Sequence, residues 1–309
     1  MFIVKHRNIF YVASGILVVL SIASVFVFGL KFGIDFKGGS LLEVNYTEGT
    51  PTVTDINTAL ENAVVFGSSV RPTGEHGFIM RTPFLTPSQY DAVKTSLTHG
   101  GEWQYEEKRF DSIGPVIGTE LQTKSVWAIL AVLLAIALFI MFAFRKVSAP
   151  VASWKYALVT LIALAHDVII PFGAFVILGH FLGAEIDTLF VTAVLVVLGF
   201  SVHDSIVVFD RVRENLRKNQ EKNLKEPFED VVGRSVNQTL SRSINTSLTV
   251  VLVLLALFFM GPASVHFFVL ALIIGIIAGT YSSVFLGSPL LVTLEKMQKP
   301  KVEVSKKKK

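Results

Sequence analysis

Six long apolar stretches constrain the fold of this 309-residue chain more than any other feature of its sequence. Each has about 20 residues, the length that an α-helix needs to cross the hydrocarbon core of a bilayer. The composition agrees, because 51% of the residues are hydrophobic and only 17% are charged, too few to cover a water-soluble protein. The sequence therefore predicts a polytopic α-helical membrane protein whose six transmembrane helices occupy residues 10–30, 126–144, 155–178, 186–209, 237–260 and 267–292.

Lysine and arginine are unevenly distributed over the segments that join these spans. The short segments 180–185 and 261–266 contain none, whereas two lie in 1–9, three in 145–155, eight in 211–242 and seven in 295–309. Because basic residues are retained on the cytoplasmic side, we expect both termini in the cytoplasm. The long segment 31–124 is then exported, since domains of that length cross the membrane whatever their charge.

The exported segment predicts an α+β domain between the first and second spans. Strand-like residues occupy 40–46, 68–72, 77–82 and 102–110, and helical patterns begin after Pro51 and at Thr86-Pro87. This β-α-β-β-α-β order is that of a ferredoxin-like split βαβ fold. The chain has no cysteine, so the domain must be stabilised by its core rather than by disulfides. The alternative interpretation is a small structural spacer without a binding partner.

The predicted organisation has four parts. They are a tip and first span at 1–30, the exported domain at 31–124, a bundle of five spans at 125–292 with a cytoplasmic loop at 210–236, and a basic tail at 293–309. The lysines at 306–309 could contact anionic lipid headgroups, and an ordinary disordered end is the alternative.

A carboxylate, Asp204, lies inside the fourth predicted span, where an ionised group is costly unless it is paired, protonated or facing water. Arg242 lies inside the fifth span. Asp204 is 18 residues after residue 186 and Arg242 is 18 residues before residue 260, so both lie roughly 27 Å along their helices. We expect the two to form an ion-coupling pair. Protonation of Asp204 would make and break the contact between them. The alternative is a static pair that only sets helix register.

Polar residues flank both charges at helical spacing. The residues that share a face are Ser201, Asp204 and Ser205 on the fourth span, and Arg242, Asn245, Thr246 and Thr249 on the fifth. Two polar faces at similar depth predict a hydrated seam inside the bundle.

A second carboxylate, Asp167, lies in the third span, four residues before Pro171. Proline has no N–H for the Asp167 carbonyl group, which predicts a locally loosened helix. Asp167 is either a secondary ion-pathway residue or a carboxylate satisfied by neighbouring hydroxyl groups or His166. The pairs His166-Asp167 and His203-Asp204 suggest a metal site, but adjacent helical residues point about 100° apart. We therefore predict no metal and no other cofactor.

Small residues recur every four positions on the last span. They are Gly275, Gly279, Ser283 and Gly287. Such a face allows another helix to approach closely, either within this chain or in a partner.

Glycines mark the entry to the exported domain, in the sequence FGIDFKGG at 32–39. Paired glycines allow positive φ and close backbone approach, so Gly33, Asp35, Gly38 and Gly39 are predicted to form a hinge. Three further motifs accompany it: GFSVHDSIVVFDRVREN at 199–215, HDVII at 166–170 and TLSR at 239–242. Together they resemble the SecD/SecF family of bacterial protein export, in its smaller SecF branch, which is of the RND superfamily type.

The resemblance implies a subunit driven by a proton or sodium gradient in the bacterial inner membrane. It would work with a SecD-like partner and help to export unfolded polypeptide after the SecYEG channel and the SecA ATPase. The membrane aspartate and arginine of the family map onto Asp204 and Arg242. His203 stands where the family commonly has asparagine, so it either hydrogen-bonds as asparagine would or alters the pH range of coupling. Asp167, His203, Ser201 and Ser205 are the expected secondary pathway.

Two other classes of function are weaker. An RND-type secondary transporter of small molecules would be expected to have a duplicated bundle rather than six spans and one exported domain. An intramembrane hydrolase would need a nucleophile with a base or a set of metal ligands, and the sequence predicts neither. Nothing in the chain predicts nucleic-acid binding.

Overall fold

The computed structural model describes residues 2–49, 51–145 and 151–297. The chain divides into two compact units. The membrane unit comprises Met1–Gly29, Ile129–Leu182 and Thr192–Lys309, and the α+β unit comprises Leu30–Ala128 and Gly183–Val191. The lysines at 306–309, predicted to contact lipid headgroups, lie outside the described residues.

The prediction of six spans is confirmed, since the described residues contain six helices long and apolar enough to cross a membrane. The sixth, Ala263–Lys296, includes a π-helical segment between two α-helices. In chain order the α-helices are α1 (Phe2–Lys5), α2 (Arg7–Phe28), α3 (Ile34–Lys37), α4 (Val53–Asn62), α5 (Pro87–Leu97), α6 (Pro115–Ala143), α7 (Ser153–Phe181), α8 (Thr188–Glu221), α9 (Phe228–Met260), α10 (His266–Tyr281) and α11 (Ser288–Lys296).

The charged connector predicted as a loop at 210–236 is mostly helical, so that part of the prediction is wrong. Helix α8 continues to Glu221 and α9 begins at Phe228. Opposite charges at helical spacing stabilise the extension, because Arg217 pairs with Glu221 at 2.8 Å and Lys218 pairs with Glu214 at 2.6 Å. The apolar stretches end near these charged residues, which is why a loop was predicted, whereas the paired charges support continued helix.

A π-helical segment, Ser282–Gly287, separates α10 from α11. Pro289 follows it and supplies a cause, because the proline ring clashes with the carbonyl group four residues earlier and a wider turn relieves this clash. The Ser288 hydroxyl group donates to the Ser283 carbonyl oxygen, five residues back, at 2.9 Å.

The small-residue face of the sixth span packs against another helix of this chain, α8, on the N-terminal side of the π segment. A Cβ at Gly275 would lie 2.3 Å from Cγ2 of Val197, and a Cβ at Gly279 would lie 3.0 Å from Cβ of Ser201. Glycine therefore allows α10 to approach α8 more closely than any other residue would. Spacing alone left open whether the neighbouring helix belongs to this chain or to a partner, and for Gly275 and Gly279 it belongs to this chain.

The α+β unit contains four strands, β1 (Gly39–Glu48), β2 (Ser69–Thr73), β3 (Gly77–Thr82) and β4 (Gln104–Ile113). They form one antiparallel sheet in the order β2-β3-β1-β4. With α4 between β1 and β2 and α5 between β3 and β4, this is the predicted ferredoxin-like split βαβ arrangement.

Helix caps and a small apolar core stabilise this unit. Thr52 and Thr86 each form a capping box with the third helical residue, and Pro87 occupies the first turn of α5. The sheet packs its inward face on both helices, through Leu42, Val44, Ile56, Leu60, Met80, Val93 and Leu97.

Candidate functional site

Asp204 lies on α8 inside the membrane unit, with 5% of its surface exposed. Ser243 on α9 donates a hydrogen bond to Oδ1 of Asp204 at 2.5 Å, and Ser283 in the π segment donates to Oδ2. Helices α8 and α9 and the π segment therefore meet at this one carboxylate.

Asp167 on α7 is completely buried and has three donors. Its Oδ2 accepts from Ser201 of α8 at 2.5 Å and from Ser282 at 2.8 Å. Its Oδ1 lies 2.9 Å from Nδ1 of His166, which donates when the carboxyl group is ionised. Both partners that the sequence allowed for Asp167, neighbouring hydroxyl groups and His166, are thus present.

The expected contact between Asp204 and Arg242 is not formed. In the described ranges neither residue takes part in an ion pair, and Arg242 is exposed on α9. Its neighbour Ser243 is completely buried and takes the position at Asp204. Spacing along the chain identifies which residues share a face, but α9 is polar on both sides, and only packing selects the inward one.

The polar face of α9 predicted to line an internal seam is turned outward. Asn245, Thr246 and Thr249 are exposed, as Arg242 is, whereas Ser247 is buried and hydrogen-bonded to Thr280 at 2.5 Å. The predicted seam is therefore wrong for α9. It holds for α8, where Ser201, Asp204 and Ser205 are all buried.

His203 is exposed, although it precedes a buried carboxylate. Adjacent helical residues point about 100° apart, so His203 faces away from Asp204. In the described ranges no hydrogen bond or ion pair joins the two side chains.

The glycine-rich entry forms a short helix in the α+β unit. Asp35 of α3 accepts a hydrogen bond from the backbone N–H of Thr188 at 2.9 Å and another from the Thr188 hydroxyl group, so it caps the first turn of α8. Gly38 and Gly39 have φ of +76° and +140°, and a Cβ at Gly38 would lie 2.7 Å from Cα of Pro115. Only glycine fits this turn, as predicted. The sequence did not indicate the partner of Asp35, 153 residues away.

The segment Gly183–Val191 belongs to the α+β unit, which the sequence did not suggest. The Ile186 N–H donates to the Lys31 carbonyl oxygen at 2.8 Å, and the Gly33 N–H donates to the Ile186 carbonyl oxygen at 2.9 Å. Nε of Arg81, on β3, lies 2.9 Å from Oε2 of Glu185. We call residues 183–188 the docked loop.

The described residues contain no group of three His, Cys, Asp or Glu side chains able to hold a metal ion. Asp167 and Asp204 are instead surrounded by hydroxyl groups and one imidazole, a donor set for hydrogen bonds to carboxylates.

Comparison with known proteins places this arrangement in a family. The model described as "Protein export membrane protein SecD/SecF, C-terminal" matches residues 92–297, and "SecD/SecF GG Motif" matches residues 23–49. The chain is also 42% identical to the protein translocase subunit SecF of Thermobaculum terrenum, over 95% of this chain and 93% of that protein. The chain belongs to the SecF branch of the SecD/SecF family. It is 35% identical to the SecF subunit of Vibrio alginolyticus, over 97% of this chain and 92% of that one.

Solved SecDF structures share the fold of this SecF-type chain. The crystal structure of SecDF from Thermus thermophilus superposes with a TM-score of 0.79 at 31% identity and covers 95% of this chain. A second structure, of SecDF in a super-membrane-facing form, has a TM-score of 0.63 at 32% identity and covers 92%. The chain spans only 38% and 37% of those SecDF chains. This SecF-type chain is thus a multi-pass membrane protein with a role in protein translocation.

The docked loop of this SecF-type chain is predicted to respond to pH. Burial raises the pKa of Glu185, against the opposing effect of Arg81, and burial also raises the pKa of Asp187. The docked state therefore binds protons more tightly than an open loop in water would. By linkage, docking is strongest at pH below the ordinary carboxyl values and weakens as pH rises through the raised pKa values.

Hydrogen exchange of the Ile186 amide, corrected for intrinsic rates, measures this effect on the full chain. We expect protection to increase severalfold from neutral to mildly acidic pH, and the increase to disappear in Glu185→Gln combined with Asp187→Asn. Glu75→Gln, at an exposed carboxyl of the same unit, is the matched control. Protection that decreases on acidification would mean that the loss of the Arg81 ion pair dominates, which contradicts the prediction.

Proposed function

We propose that this chain is an ion-gradient-driven subunit of Sec protein translocation that works with a SecD-like partner late in export. In this proposal both termini are cytoplasmic and the α+β unit lies outside the inner membrane. That orientation is supported by the lysine and arginine counts of the connecting segments. The energy source is a proton or sodium gradient, without a further cofactor.

The surroundings of Asp204 carry the proposal. No cation among the described residues pairs with this buried carboxylate, which is held by the hydroxyl groups of Ser243 and Ser283. A hydroxyl group donates to a carboxylate and accepts from a carboxylic acid, so the same two side chains satisfy both states of Asp204. A site that stays hydrogen-bonded in both states is suited to bind and release a proton repeatedly.

Arg242 supplies the second state of the coupling site. It adjoins Ser243 on α9 and points about 100° away from it. Rotation of α9 about its axis by roughly that angle would exchange Ser243 for Arg242 at Asp204. The guanidinium group would then stabilise the ionised carboxylate, and the hydroxyl arrangement would serve the protonated one. Ion binding at Asp204 thereby sets the orientation of α9.

The exposed face of α9 fits a protein partner better than lipid. Arg242, Asn245, Thr246 and Thr249 lie on this face, in a helix long enough to span the membrane. Charged and polar groups are costly when they face hydrocarbon, and they are satisfied when another helix covers them. The solved SecDF chains are more than twice the length of this one, which supports a SecD-like subunit as the partner.

Other residues extend the proposed ion pathway. Asp167, Ser201 and Ser205 provide buried oxygen atoms on α7 and α8, and His203 provides an exposed imidazole next to Asp204. Because His203 faces outward, its proposed effect on the pH range of coupling does not involve a direct side-chain contact with Asp204.

The roles of the remaining parts of the chain are proposed by analogy with the family. The α+β unit is proposed to hold unfolded polypeptide that emerges from the SecYEG channel after SecA has acted. The glycine-rich segment Gly33–Gly39 is proposed as the hinge that connects this unit to the spans. The lysines at 306–309 are proposed to contact anionic lipid headgroups.

The test uses membrane vesicles that contain the translocon, the SecD-like partner and this chain. A secreted precursor is translocated partway with ATP, the ATP is then removed, and a proton or sodium gradient is imposed. We expect completion to depend on both the gradient and the chain, and to stop when an ionophore for the coupling ion is added. Equal completion with a collapsed gradient would overturn ion coupling, while completion that needs the chain would still leave a role in translocation.

A further inference from the structure

The two buried carboxylates of the membrane unit share one mechanical connection. Ser282 donates to Asp167 and the next residue, Ser283, donates to Asp204. A second connection runs through α8, where Ser201 donates to Asp167 and lies three residues before Asp204. A change in the hydrogen bond from Ser282 to Asp167 therefore acts directly on the residue that donates to Asp204, and the reverse also holds.

The π segment makes this connection stiff rather than compliant. Ser282 and Ser283 are buried with almost no exposed surface, and the Gly279 backbone before them packs directly on Ser201. Pro289 and the Ser288 hydroxyl bond stabilise the wide turn from the other side. Single π turns inside α-helices are rare and frequently lie at functional sites.

His166 adds an incompletely satisfied group to the Asp167 end. The imidazole is 4% exposed, and its Nδ1 is used by Asp167. Its Nε2 is buried and has no hydrogen-bond partner among the described residues. A buried polar atom without a partner is unfavourable. Binding of a second proton to the imidazole, or a movement of the neighbouring helix, would change the hydrogen bonding of Nε2.

We infer that Asp167 and Asp204 form one proton-binding unit, coupled through Ser282 and Ser283 of the π segment, with His166 as a second base at the Asp167 end. Proton occupancy of one carboxylate then changes the affinity of the other. The inference rests on the proposed function for its physiological use, because it adds a second proton-binding group to the coupling site.

Few titratable or polar groups among the described residues surround the proton-binding unit formed by Asp167 and Asp204. Tyr281 of α10 faces His166, with ring centroids 5.9 Å apart, and its hydroxyl group lies 3.3 Å from that of Ser14 on α2. From α8 the neighbouring groups are the Ser201 hydroxyl and Asp204, and α9 contributes the Ser243 hydroxyl. Arg242 and His203 face outward. No other charged group contacts either carboxylate within the described ranges.

The test measures modification of Asp204 by a hydrophobic carbodiimide, which reacts with protonated buried carboxyl groups. The full chain is labelled in membranes with its SecD-like partner, without transport, and the Asp204 peptide is quantified by mass spectrometry across pH. The variants Asp167→Asn and Ser282→Ala touch Asp167 but not Asp204. We expect each to change the labelling rate of Asp204 by about fivefold, the factor that corresponds to ~1 kcal/mol of hydrogen bonding.

Two controls separate coupling from general loosening of the bundle. Thr160→Val removes a buried hydroxyl group of α7 that donates only to its own helix, and is expected to leave labelling unchanged. Ser283→Ala removes a direct donor to Asp204 and must change the labelling rate of Asp204.

The wild-type pH profile of labelling is expected to show two steps, reduced to one in Asp167→Asn, since coupled groups titrate as a pair. His166→Gln, which retains a hydrogen-bond donor but cannot take up a proton, is expected to keep both steps and to shift the one that Asp167→Asn removes.

Labelling of Asp204 that is unchanged in Ser282→Ala and Asp167→Asn overturns the inference. If Asp167→Asn does not fold, Ser282→Ala alone decides. Because no transport occurs in this assay, coupling without gradient-dependent translocation would reject the proposed function and keep the proton-binding unit. Gradient-dependent translocation without coupling would reject only the unit.

Discussion

Replacing Asp204 with asparagine is expected to abolish gradient-dependent translocation while the chain still assembles with its partner. Asparagine has nearly the same shape: its amide oxygen accepts from one of the two serines, Ser243 or Ser283, and its NH2 group donates to the hydroxyl oxygen of the other, so the local packing survives. It cannot lose or gain a proton, so the site has one state instead of two. The expected level of translocation is that of vesicles lacking the chain, measured by protease protection of a secreted precursor at matched membrane levels.

The control for this experiment is Asp210→Asn, the same chemical change on the same helix. Asp210 is exposed and pairs with Arg213, an exposed ion pair that contributes little. Its translocation should equal that of the wild type. Arg242→Met should lose gradient dependence as Asp204→Asn does, because the exchange with Ser243 needs the guanidinium group. Normal gradient-dependent translocation by both Asp204→Asn and Arg242→Met would show that these residues are structural at most.

Gly275→Ala is expected to destabilise the membrane unit, against the usual effect of this substitution in a helix. Alanine normally favours a helix over glycine by roughly 0.5–1 kcal/mol. At Gly275 the new Cβ would lie 2.3 Å from Cγ2, 2.9 Å from Cγ1 and 3.1 Å from Cβ of Val197, a short β-branched side chain that is stiff at χ1. Overpacking of this kind costs about 1–3 kcal/mol. We expect a lower midpoint of thermal unfolding in detergent, and weaker Ser283–Asp204 contact as α10 is displaced from α8.

Gly199→Ala provides the comparison within the same bundle. Gly199 lies on α8 with open space around the position of a Cβ, so alanine there should be neutral or stabilising. Truncation of the opposing side chain, Val197→Ala, should partly restore Gly275→Ala and so give a non-additive double-mutant cycle. Equal effects of alanine at Gly275 and Gly199 would mean that α10 and α8 do not approach as closely as described.

Much of the architecture was predictable because it depends on local patterns. Six apolar stretches of spanning length are enough to predict six membrane helices, and alternating residues between turn signals are enough for four strands. Thr86-Pro87 marked the start of α5, and the positive φ of Gly38 and Gly39 followed from their residue type. The helical connector was missed because the spans were predicted from apolar residues, whereas the connector is stabilised by charged pairs such as Lys218 and Glu214.

By itself, the sequence determined the number of spans, the order of elements in the α+β unit, the family, and the presence of costly carboxylates at Asp167 and Asp204. Only the tertiary structure decided which side chains reach those carboxylates. Ser243 occupies the place expected for Arg242, and Ser282 and Ser283 join two sites 37 residues apart along the chain. The physical reason is that periodicity describes one helix at a time, while the rotation of each helix about its axis is set by packing against all its neighbours.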